Sequence, residues 1–473
     1  METLKTDIVV IGSGCGLAAA VAAAEKGASV ILLEKRKNPG GNTAMARGLM
    51  AVESPLQKRL KINARKGDIF RTAMEYSHWK IDPRITRTVI DKSGDTIQWL
   101  ERIGIKFSGV PNFYDNQMPR IYHIPDGYGA RMVKMLAKKG KELNVQFFYE
   151  TEAKKILTDK SGKVAGVQAA KKNEEIGIKT NCTIIATGGY SGDKELMKKY
   201  YPYYSEDMQL NGIPGTGDGL RMAVDAGAAT EGLGVCMLMG PFFKGSLRVQ
   251  LVAVESNTVW INQKGERYID ESSAVFSETG NALNRQPGRI SFTLFDEEIK
   301  RHFMEQGLIK GVHRSYPPTT KMRDLNKHLQ AESERGRVLI SHSLKTVAQW
   351  IGADLKKLKK TINEYNTCCD RGYDEMFGKD RNYLQPLRTP PYYAIRCNPG
   401  FHGTVGGIKI NHRMEVLNQQ DTPIPGLYAG GNDAGGWASD TYCYALSGTA
   451  LAFAINSGRI AGENAVEYVT ANT

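Results

Sequence analysis

The stretch DIVVIGSGCGLAAAVAAAEKGASVILLEK, residues 7–35, decides the fold. An apolar run enters a tight glycine turn, an alanine-rich helix follows, and a second apolar run ends at Glu34. Glycines at such a turn let the backbone approach a pyrophosphate at the helix N-terminus, and the acid accepts hydrogen bonds from ribose hydroxyls. The stretch therefore predicts a dinucleotide-binding βαβ unit.

The glycine turn departs from the usual spacing at one position. Gly12 and Gly14 match the first two glycines of the fingerprint, but the third is Gly16, one residue early, and Leu17 fills the expected place. We therefore expect the βαβ fold with a glycine loop that is one residue shorter than usual.

Length and charge are those of an ordinary globular protein. Of the 473 residues, 41% are hydrophobic and 24% are charged, which allows a large core and two or three domains. The formal charge is +13, but the basic residues are mixed with acids in helix-like segments such as 138–142 and 356–360. We therefore expect no nucleic-acid partner, and a large anionic cofactor would balance part of the charge.

Cysteine usage and apolar runs predict a cytoplasmic setting. Seven cysteines at irregular spacing provide neither a disulfide framework nor paired ligands for zinc, so we expect no metal site. The first strand is expected at Asp7, with only METLKT before it, so no signal peptide is expected. No apolar run is long enough to span a bilayer.

Four further motifs follow in a fixed order. They are EKRKNPGGNTAMARGLM (34–50), NCTIIATGGYSG (181–192), GTGDGLRMAVDAGA (215–228) and PIPGLYAGGNDAGG (423–436). Together they resemble the flavoproteins of the succinate dehydrogenase and fumarate reductase superfamily, over nearly the whole chain. The resemblance implies FAD as the cofactor.

The resemblance also implies the architecture. We expect an α/β fold, with a Rossmann-like FAD-binding domain of the glutathione-reductase type and an inserted α+β capping domain. The FAD-binding domain would be discontinuous, comprising residues 1–235 and 403–473, and the capping domain would comprise residues 236–402. In the family this cap closes over the substrate, and the exclusion of water strengthens polar contacts.

The family's cofactor contacts fall on a defined set of residues in this chain. They are Gly12, Gly14, Gly16, Glu34, Gly41, Asn42, Thr43, Gly48, Ala186, Thr187, Gly188, Asp218, Gly431, Asn432 and Ser447. Members that bond the flavin covalently have a histidine at the position of Asn42, so we expect tight but noncovalent FAD. The N-terminus of the last helix is expected to face the pyrimidine end of the flavin.

The family's chemistry is the reduction or formation of a carbon–carbon double bond next to a carbonyl group. A carboxylate substrate requires arginines, whereas a ketone requires a neutral donor for the developing enolate oxygen. Three carboxylate-specific positions of fumarate reductases fall on Val275, Gly403 and Tyr442, with His402 displaced by one residue. The resemblance therefore favours a ketone over a dicarboxylate.

The segment GTVGG (403–407) is similar to the 3-ketosteroid dehydrogenase branch of the superfamily. In that branch a tyrosine at the position of Tyr442 binds the ketone oxygen, together with a backbone N–H. A second tyrosine of the branch matches Tyr114, with Tyr122 as the second choice. The proton-handling tyrosine of the cap would fall at Val275 and is missing.

The candidate catalytic residues are therefore tyrosines. We predict that Tyr442 polarises the carbonyl group and that Tyr114 is the proton donor or relay, with Tyr444 and Tyr122 as further candidates. A phenol exchanges protons only when its pKa of about 10 is lowered by its surroundings. On a helix Tyr444 would face away from Tyr442, whereas in an irregular loop both could point inward.

Substrate contacts are expected from Trp437, Gly403, Thr404 and Phe276. Trp437 would form the wall of a pocket suited to a flat apolar substrate. His123 and His402 are expected to be structural histidines.

The predicted function is FAD-dependent reduction or formation of a C=C bond next to a ketone, steroid ketones included. Electrons would be exchanged with a separate donor or acceptor. The alternatives are a fumarate-reductase-like reductase of an unsaturated carboxylate, a flavoprotein that serves only as a subunit or binding module, and a nucleic-acid-modifying flavoprotein. In the first alternative the substrate would be bound by other arginines, namely Arg120, Arg131, Arg248, Arg285 or Arg289.

Overall fold

The computed structural model describes residues 2–113, 119–172, 174–273, 276–311 and 316–472. The chain divides into two compact units. The first unit comprises Met1–Tyr204, Gly212–Met237 and Gly403–Thr473, and the second comprises Ser205–Asn211 and Leu238–His402.

The strands of the described residues are β1 (Glu2–Lys5), β2 (Ile8–Ile11), β3 (Val30–Glu34), β4 (Leu49–Met50), β5 (Phe107–Gly109), β6 (Tyr122–Pro125), β7 (Gln146–Tyr149), β8 (Thr151–Thr158), β9 (Val164–Lys171), β10 (Glu174–Lys179), β11 (Cys182–Ile185), β12 (Gln209–Leu210), β13 (Thr230–Glu231), β14 (Cys236–Phe242), β15 (Val259–Ile261), β16 (Ser291–Phe295), β17 (Val338–Ser341), β18 (Tyr392–Thr404), β19 (Gly407–Ile408), β20 (Glu415–Leu417) and β21 (Pro423–Ala429).

The α-helices of the same residues are α1 (Cys15–Glu25), α2 (Gly41–Met45), α3 (Pro55–Arg59), α4 (Lys66–Tyr76), α5 (Pro83–Arg102), α6 (Tyr128–Glu142), α7 (Lys194–Tyr200), α8 (Asp218–Asp225), α9 (Leu247–Ala253), α10 (Phe276–Asn284), α11 (Glu297–Glu305), α12 (Leu325–Glu334), α13 (Leu344–Ile351), α14 (Leu355–Arg371) and α15 (Thr449–Ala471). Short 3-10 helices lie at Pro287–Arg289, Arg381–Tyr383 and Gly431–Asp433.

The first unit is built on a sheet of order β20-β21-β11-β2-β3-β7, counted over its described residues. Strands β2, β3, β7, β11 and β21 pair in parallel, and β20 pairs with β21 in antiparallel. Every residue of β2 and β3 is buried, as expected for strands covered on both faces. The predicted βαβ unit is confirmed as β2, α1 and β3.

Helices α1 and α15 pack closely because small residues face each other at their contact. A side chain at Gly458 would lie 2.5 Å from the carbonyl oxygen of Cys15, and one at Gly462 would overlap the carbonyl oxygen of Ala19. The close packing holds the start of α15 on the dinucleotide-binding unit.

The N-terminal segment corrects one expectation. METLKT was expected to precede the first strand, but Glu2–Lys5 forms β1, which pairs in parallel with β10. Strand β10 belongs to a four-stranded sheet of order β1-β10-β9-β8 and has a free edge without β1. The segment therefore forms a strand because it pairs with the edge of this sheet, and no local sequence pattern predicts it.

The second unit is an α+β structure around one sheet. Strand β18 lies between β12 and β16, β16 pairs with β15, and β14 and β17 also pair with β18. Its core consists of buried aliphatic and aromatic side chains such as Phe295, Phe303 and Tyr365. The predicted fold class, an α/β dinucleotide-binding fold with an α+β insertion, is confirmed.

Two observations concern the setting of the chain. All seven cysteines are free. Among the described residues, no helix combines the length and the apolar character needed to cross a membrane.

Candidate active site

The glycine loop between β2 and α1 leaves no room for side chains. Gly12 has a φ of +94°, and a Cβ atom there would overlap the carbonyl oxygen of Ala186. A Cβ atom at Gly16 would lie 2.7 Å from Cγ1 of Val10. Gly16 thus allows close helix–strand packing although it stands one residue early in the fingerprint.

The N-terminus of α1 is open to an anion. Gly14 is its N-cap residue, and no side chain caps the helix there. A Cβ atom at Gly14 would lie 3.1 Å from Oγ1 of Thr43, so α2 closes one side of this position. Free N–H groups at a helix N-terminus are suited to a pyrophosphate.

Glu34 is anchored at the end of β3. Its carboxylate accepts hydrogen bonds from the N–H and the hydroxyl of Ser13 and from the N–H of Arg36, at 2.9 Å. The hydroxyl of Ser13 in turn accepts the N–H of Gly40 at 2.8 Å. The uncapped N–H groups of α1 can donate to a pyrophosphate, and the buried carboxylate beside them can accept from ribose hydroxyls, so these residues fit FAD.

The side-chain amide of Asn42 bonds the protein backbone through both its nitrogen and its oxygen. Its Nδ2 donates to the carbonyl oxygen of Ile213 at 2.9 Å, and its Oδ1 accepts the N–H of Ile213 at 2.7 Å. Gly41 beside it has a φ of +49° and open space where a Cβ atom would lie. At Gly48 a Cβ atom would lie 2.6 Å from Cζ of Tyr122, so this glycine permits close approach of β6.

Asp218, the first residue of α8, is paired within the first unit. Its carboxylate accepts the ammonium group of Lys35 at 2.6 Å and the hydroxyl of Thr216 at 2.8 Å. Lys35 follows Glu34 directly, so this ion pair ties the end of β3 to the start of α8.

The turn after β11 is bound by a buried carboxylate that sequence reasoning missed. Asp433 accepts the hydroxyl of Thr187 at 2.8 Å and the N–H groups of Gly188 and Gly189 at 2.8 and 3.1 Å. Ala186, predicted as a cofactor contact, precedes this turn and lies against Gly12. The sequence signal for Asp433 is weak, an acid between two glycine pairs.

The remaining predicted cofactor residues lie near the start of α15. The N–H of Gly431 donates to Oγ of Ser457 at 2.9 Å. Nδ2 of Asn432 would lie 3.4 Å from a Cβ atom at Gly403. The hydroxyl of Ser447 donates to the carbonyl oxygen of Tyr444 at 3.2 Å.

Three of the four predicted catalytic tyrosines come together in the first unit. The rings of Tyr442 and Tyr444 pack edge to face, with centroids 4.6 Å apart, in the irregular loop before α15. Tyr122 is close enough to raise the pKa of Tyr442 further. Trp437 contacts Tyr442 and stacks on Phe453 with centroids 4.3 Å apart.

The hydroxyl of Tyr442 lies at the N-terminus of α15. Its oxygen accepts the N–H of Ala450 at 2.8 Å. Burial raises the pKa of Tyr442 well above the ordinary value, and the bond from Ala450 offsets this only in part. The phenol is therefore neutral at all ordinary pH values, a state suited to a hydrogen-bond donor rather than to a proton-exchanging acid.

Three predicted residues cannot be placed. Tyr114 and Val275 lie outside the described residues, and so does the side chain of Phe276, whose backbone begins α10.

Thr404 and both histidines make hydrogen bonds within the protein. The hydroxyl of Thr404 accepts the N–H of Tyr190 at 3.0 Å. In the second unit, Nδ1 of His402 lies 3.1 Å from the carbonyl oxygen of Asn211.

His123 is buried in the first unit. Its Nε2 lies 2.7 Å from Oγ of Ser54, and its Nδ1 lies 2.9 Å from the carbonyl oxygen of Ile121. Burial lowers the pKa of His123 to about 4, so the ring is neutral at physiological pH. The ring nitrogens are occupied by the fold itself.

A cavity of about 50 Å³ lies beside Tyr442 and Trp437, between the loop before α15 and helices α4 and α5. None of the described residues that line this cavity carries a charge. The lining consists of Met50, Ala73, Tyr76, Ser77, Ile81, Thr86, Val89, Ile90, Trp437, Ala438, Ser439, Thr441, Tyr442, Cys443, Leu446, Thr449 and Phe453.

The arginines of the carboxylate alternative belong to both units. In the first unit, Nε of Arg120 donates to the carbonyl oxygen of Val110 at 2.7 Å, and Arg131 is exposed on α6. In the second unit, Nε of Arg248 pairs with Asp324 at 3.3 Å. Arg285 is exposed and Arg289 is half-buried. No group of three or more metal-binding side chains occurs in the described part of the chain.

The open glycine loop, the anchored Glu34 and the turn after β11 define a dinucleotide-binding protein. Residues 7–451 match the model of a protein family described as FAD binding domain, and the chain belongs to this family.

Two curated relatives cover nearly the whole chain. A vinyl phenol reductase of Lactiplantibacillus plantarum is 34% identical over 98% of this chain and 96% of that protein. A cytochrome-type fumarate reductase of Shewanella frigidimarina is 28% identical over 98% of this chain and 78% of that protein.

A solved structure shares the fold. The 3-ketosteroid Δ1-dehydrogenase of Sterolibacterium denitrificans superposes with a TM-score of 0.83, at 19% identity, over 98% of this chain and 99% of that one. The predicted superfamily is confirmed, and the chain is an FAD-dependent oxidoreductase that acts on carbon–carbon double bonds.

Proposed function

We propose that the chain reduces a C=C bond conjugated to an uncharged, oxygen-bearing group. The observation that carries this proposal is the cavity beside Tyr442. Within the part of the chain that the structure describes, its seventeen lining residues include aromatic rings and hydroxyls but no charge. A carboxylate would need a cation at such a wall, because an unpaired buried charge is costly. A neutral ring with a hydroxyl or carbonyl group has no such requirement.

Tyr442 is the proposed polarising residue. A neutral phenol donates a hydrogen bond to the oxygen on which negative charge develops, and a pKa raised by burial keeps this proton in place. The N–H of Ala450 polarises the hydroxyl from behind. When bound, FAD supplies the hydride.

The proton donor stays a proposal. Tyr444 packs on the ring of Tyr442, and its hydroxyl donates to the carbonyl oxygen of Met237 at 3.5 Å, so a second phenol lies beside the proposed polarising residue. Tyr122 is a further candidate, and Tyr114, the first choice from sequence, lies outside the described residues.

Two substrate classes satisfy this site. A phenolic alkene is favoured because the relative that is 34% identical over nearly both full lengths is a vinyl phenol reductase. A ketone, the choice from sequence, is favoured by the neutral donor of Tyr442. The unsaturated-carboxylate alternative is disfavoured because none of its five arginines is among the described residues that line the cavity.

Noncovalent attachment of FAD is proposed from Asn42. An amide cannot form the bond that a histidine makes to the flavin, and both amide groups are bound to Ile213. Acid precipitation of the purified flavoprotein should release all of its flavin into the supernatant. Yellow colour retained in the pellet would contradict this.

Setting and domain roles also stay predictions. The seven free cysteines support a reducing, cytoplasmic environment. An FAD-binding domain of residues 1–235 and 403–473, a capping domain of residues 236–402 and a separate electron donor are proposed together with the reaction.

The deciding experiment is anaerobic reoxidation of the chemically reduced flavoprotein by a substrate panel. We expect 4-vinylphenol or a cyclic enone to restore the flavin absorbance within seconds, and fumarate, acrylate and urocanate to act at least a hundredfold more slowly. Reoxidation by the acids alone would overturn the proposal. Reoxidation by none of them would favour the binding-module alternative.

A further inference from the structure

The buried carboxylate of Asp433 occupies a backbone concavity in the first unit. Gly188 and Gly189 both have positive φ, +94° and +85°, and their consecutive N–H groups point to the same side. Such a run of N–H groups commonly forms an anion-binding nest. In this protein the nest is filled by the side chain of Asp433, which is only 1% exposed.

The neighbouring donors are also taken by the protein. The hydroxyl of Thr187 donates to Asp433 and accepts the N–H of Gly219 at 3.2 Å. The next N–H, that of Tyr190, is bound by Thr404. The hydroxyl of Thr187 and the N–H groups of Gly188, Gly189 and Tyr190 therefore all bond within the protein.

Asp433 thereby connects the segments that surround the cofactor. Through Thr187 it fixes the turn after β11, against which the Gly12 position is packed. The bond from Gly219 to Thr187 adds the start of α8, and Asp433 itself lies in the segment before α15. One side chain thus sets the relative position of four parts of the chain.

We propose that Asp433 is a positioning residue for FAD, which holds the 186–190 turn in shape and leaves the pyrophosphate to the N-terminus of α1. Burial raises the pKa of Asp433, and the hydrogen bonds from Thr187, Gly188 and Gly189 offset this only in part. Because these three donors bond Asp433, the turn does not offer them to a cofactor phosphate. The proposal rests on FAD binding and not on the choice of substrate, so failure of the substrate panel would leave it intact.

The test is Asp433→Asn in the full chain. An amide has nearly the same shape as a carboxylate. Its NH₂ group, however, would replace an oxygen that accepts a backbone N–H in the wild type, so two donors would face each other. The matched control is Glu255→Gln in the second unit, where a buried carboxylate also accepts three hydrogen bonds, in this case all from backbone N–H groups, those of Ile309, Lys310 and Gly311.

The readouts are the Kd of the apoprotein for FAD and the visible circular dichroism of the bound flavin. We expect Asp433→Asn to raise the Kd at least tenfold and to change the dichroism, and Glu255→Gln to change neither, although both lower the Tm. Unchanged Kd and dichroism in folded Asp433→Asn would overturn the proposal.

A second variant serves if Asp433→Asn does not fold. Thr187→Val removes one of the three donors and keeps the carboxylate bound to Gly188 and Gly189. We expect a smaller rise in Kd, about threefold, with altered dichroism. Wild-type values for this variant would also count against the proposal.

Discussion

The phenolic oxygen of Tyr442 accepts the backbone N–H of Ala450, 2.8 Å away, in the first turn of α15. Gly448, the N-cap residue of that helix, has no side chain to offer an acceptor. The phenol therefore takes the place of a capping side chain while its ring lines the cavity. Tyr442 thus has two roles: it stabilises the start of α15, and it is the proposed polarising group.

Tyr442→Phe should separate these two roles. Loss of the cap should lower the free energy of unfolding by about 1 kcal/mol, and loss of the donor should lower kcat for the best neutral substrate by about a hundredfold. Stopped-flow reoxidation and urea unfolding measure the two effects.

The control for Tyr442→Phe is Tyr428→Phe. Tyr428 is equally buried, and its hydroxyl bonds a backbone carbonyl oxygen, that of Asn464, at 3.3 Å. Tyr428→Phe should lower the free energy of unfolding by a similar amount and leave kcat unchanged. Equal kcat losses in both variants would show that Tyr442 acts through the fold alone.

His123 should make the protein less stable in mild acid. Burial lowers the pKa of His123 from 6.5 to about 4. Between these two pH values the ring is largely protonated in the unfolded state and largely neutral in the folded state. The contribution of neutral His123 to the free energy of unfolding is fully present above pH 6.5 and is lost as the pH falls towards 4. The loss is about 2 kcal/mol at pH 5.

Urea unfolding of wild type and His123→Gln at pH 5 and pH 7.5 measures this contribution. The difference between the two proteins should shrink at pH 5, because the glutamine does not titrate. An equal difference at both pH values would exclude His123 as the source.

Lys379→Met should strongly destabilise the second unit. Lys379 is buried, its Nζ lies 3.3 Å from Glu271, and Arg267 also binds this carboxylate at 2.6 Å. Burial raises the pKa of Glu271, but the two cations outweigh it and hold the pKa below the ordinary value. Removing one partner of a buried ionic cluster costs about 3 kcal/mol or more.

Calorimetry of Lys379→Met checks this prediction, with Lys360→Met as the control. Lys360 forms an exposed i,i+4 pair with Glu364 at 3.7 Å, so its loss should not shift the Tm measurably. A Tm for Lys379→Met within error of wild type would show that Glu271 is neutral or is satisfied by Arg267 alone.

Gly12→Ala should abolish FAD binding. The new methyl group would overlap the carbonyl oxygen of Ala186, and the positive φ disfavours a side chain in any case. Gly67→Ala on α4 is the matched control, since open space surrounds that position and helix propensity should add up to about 1 kcal/mol. Flavin content after purification reports the outcome, and a flavin-loaded Gly12→Ala protein would contradict it.

The dinucleotide fold was predictable because its information is local. Apolar strands, a glycine turn and a helix follow each other between residues 7 and 35, so the pattern survives without tertiary context. The edge strand β1 was not predictable, because it depends on pairing with β10, far along the chain.

The roles of individual polar residues depended on contacts that no local pattern records. Asp433 binds Thr187, 246 residues earlier, and Asn42 binds Ile213, 171 residues later. The local motifs that predict Thr187 and Asn42 as cofactor contacts do not record that polar groups of both residues also bond within the protein.

The sequence by itself determined the cofactor class, because the glycine turn and Glu34 predict a dinucleotide and the resemblance carried by four further motifs implies FAD. Only the tertiary structure decided which tyrosines meet and which polar groups remain available. Tyr122 lies near Tyr442, although the two residues are 320 positions apart in the sequence. Such encounters follow from the packing of the whole unit, because the free energy that brings these side chains together comes from burial elsewhere.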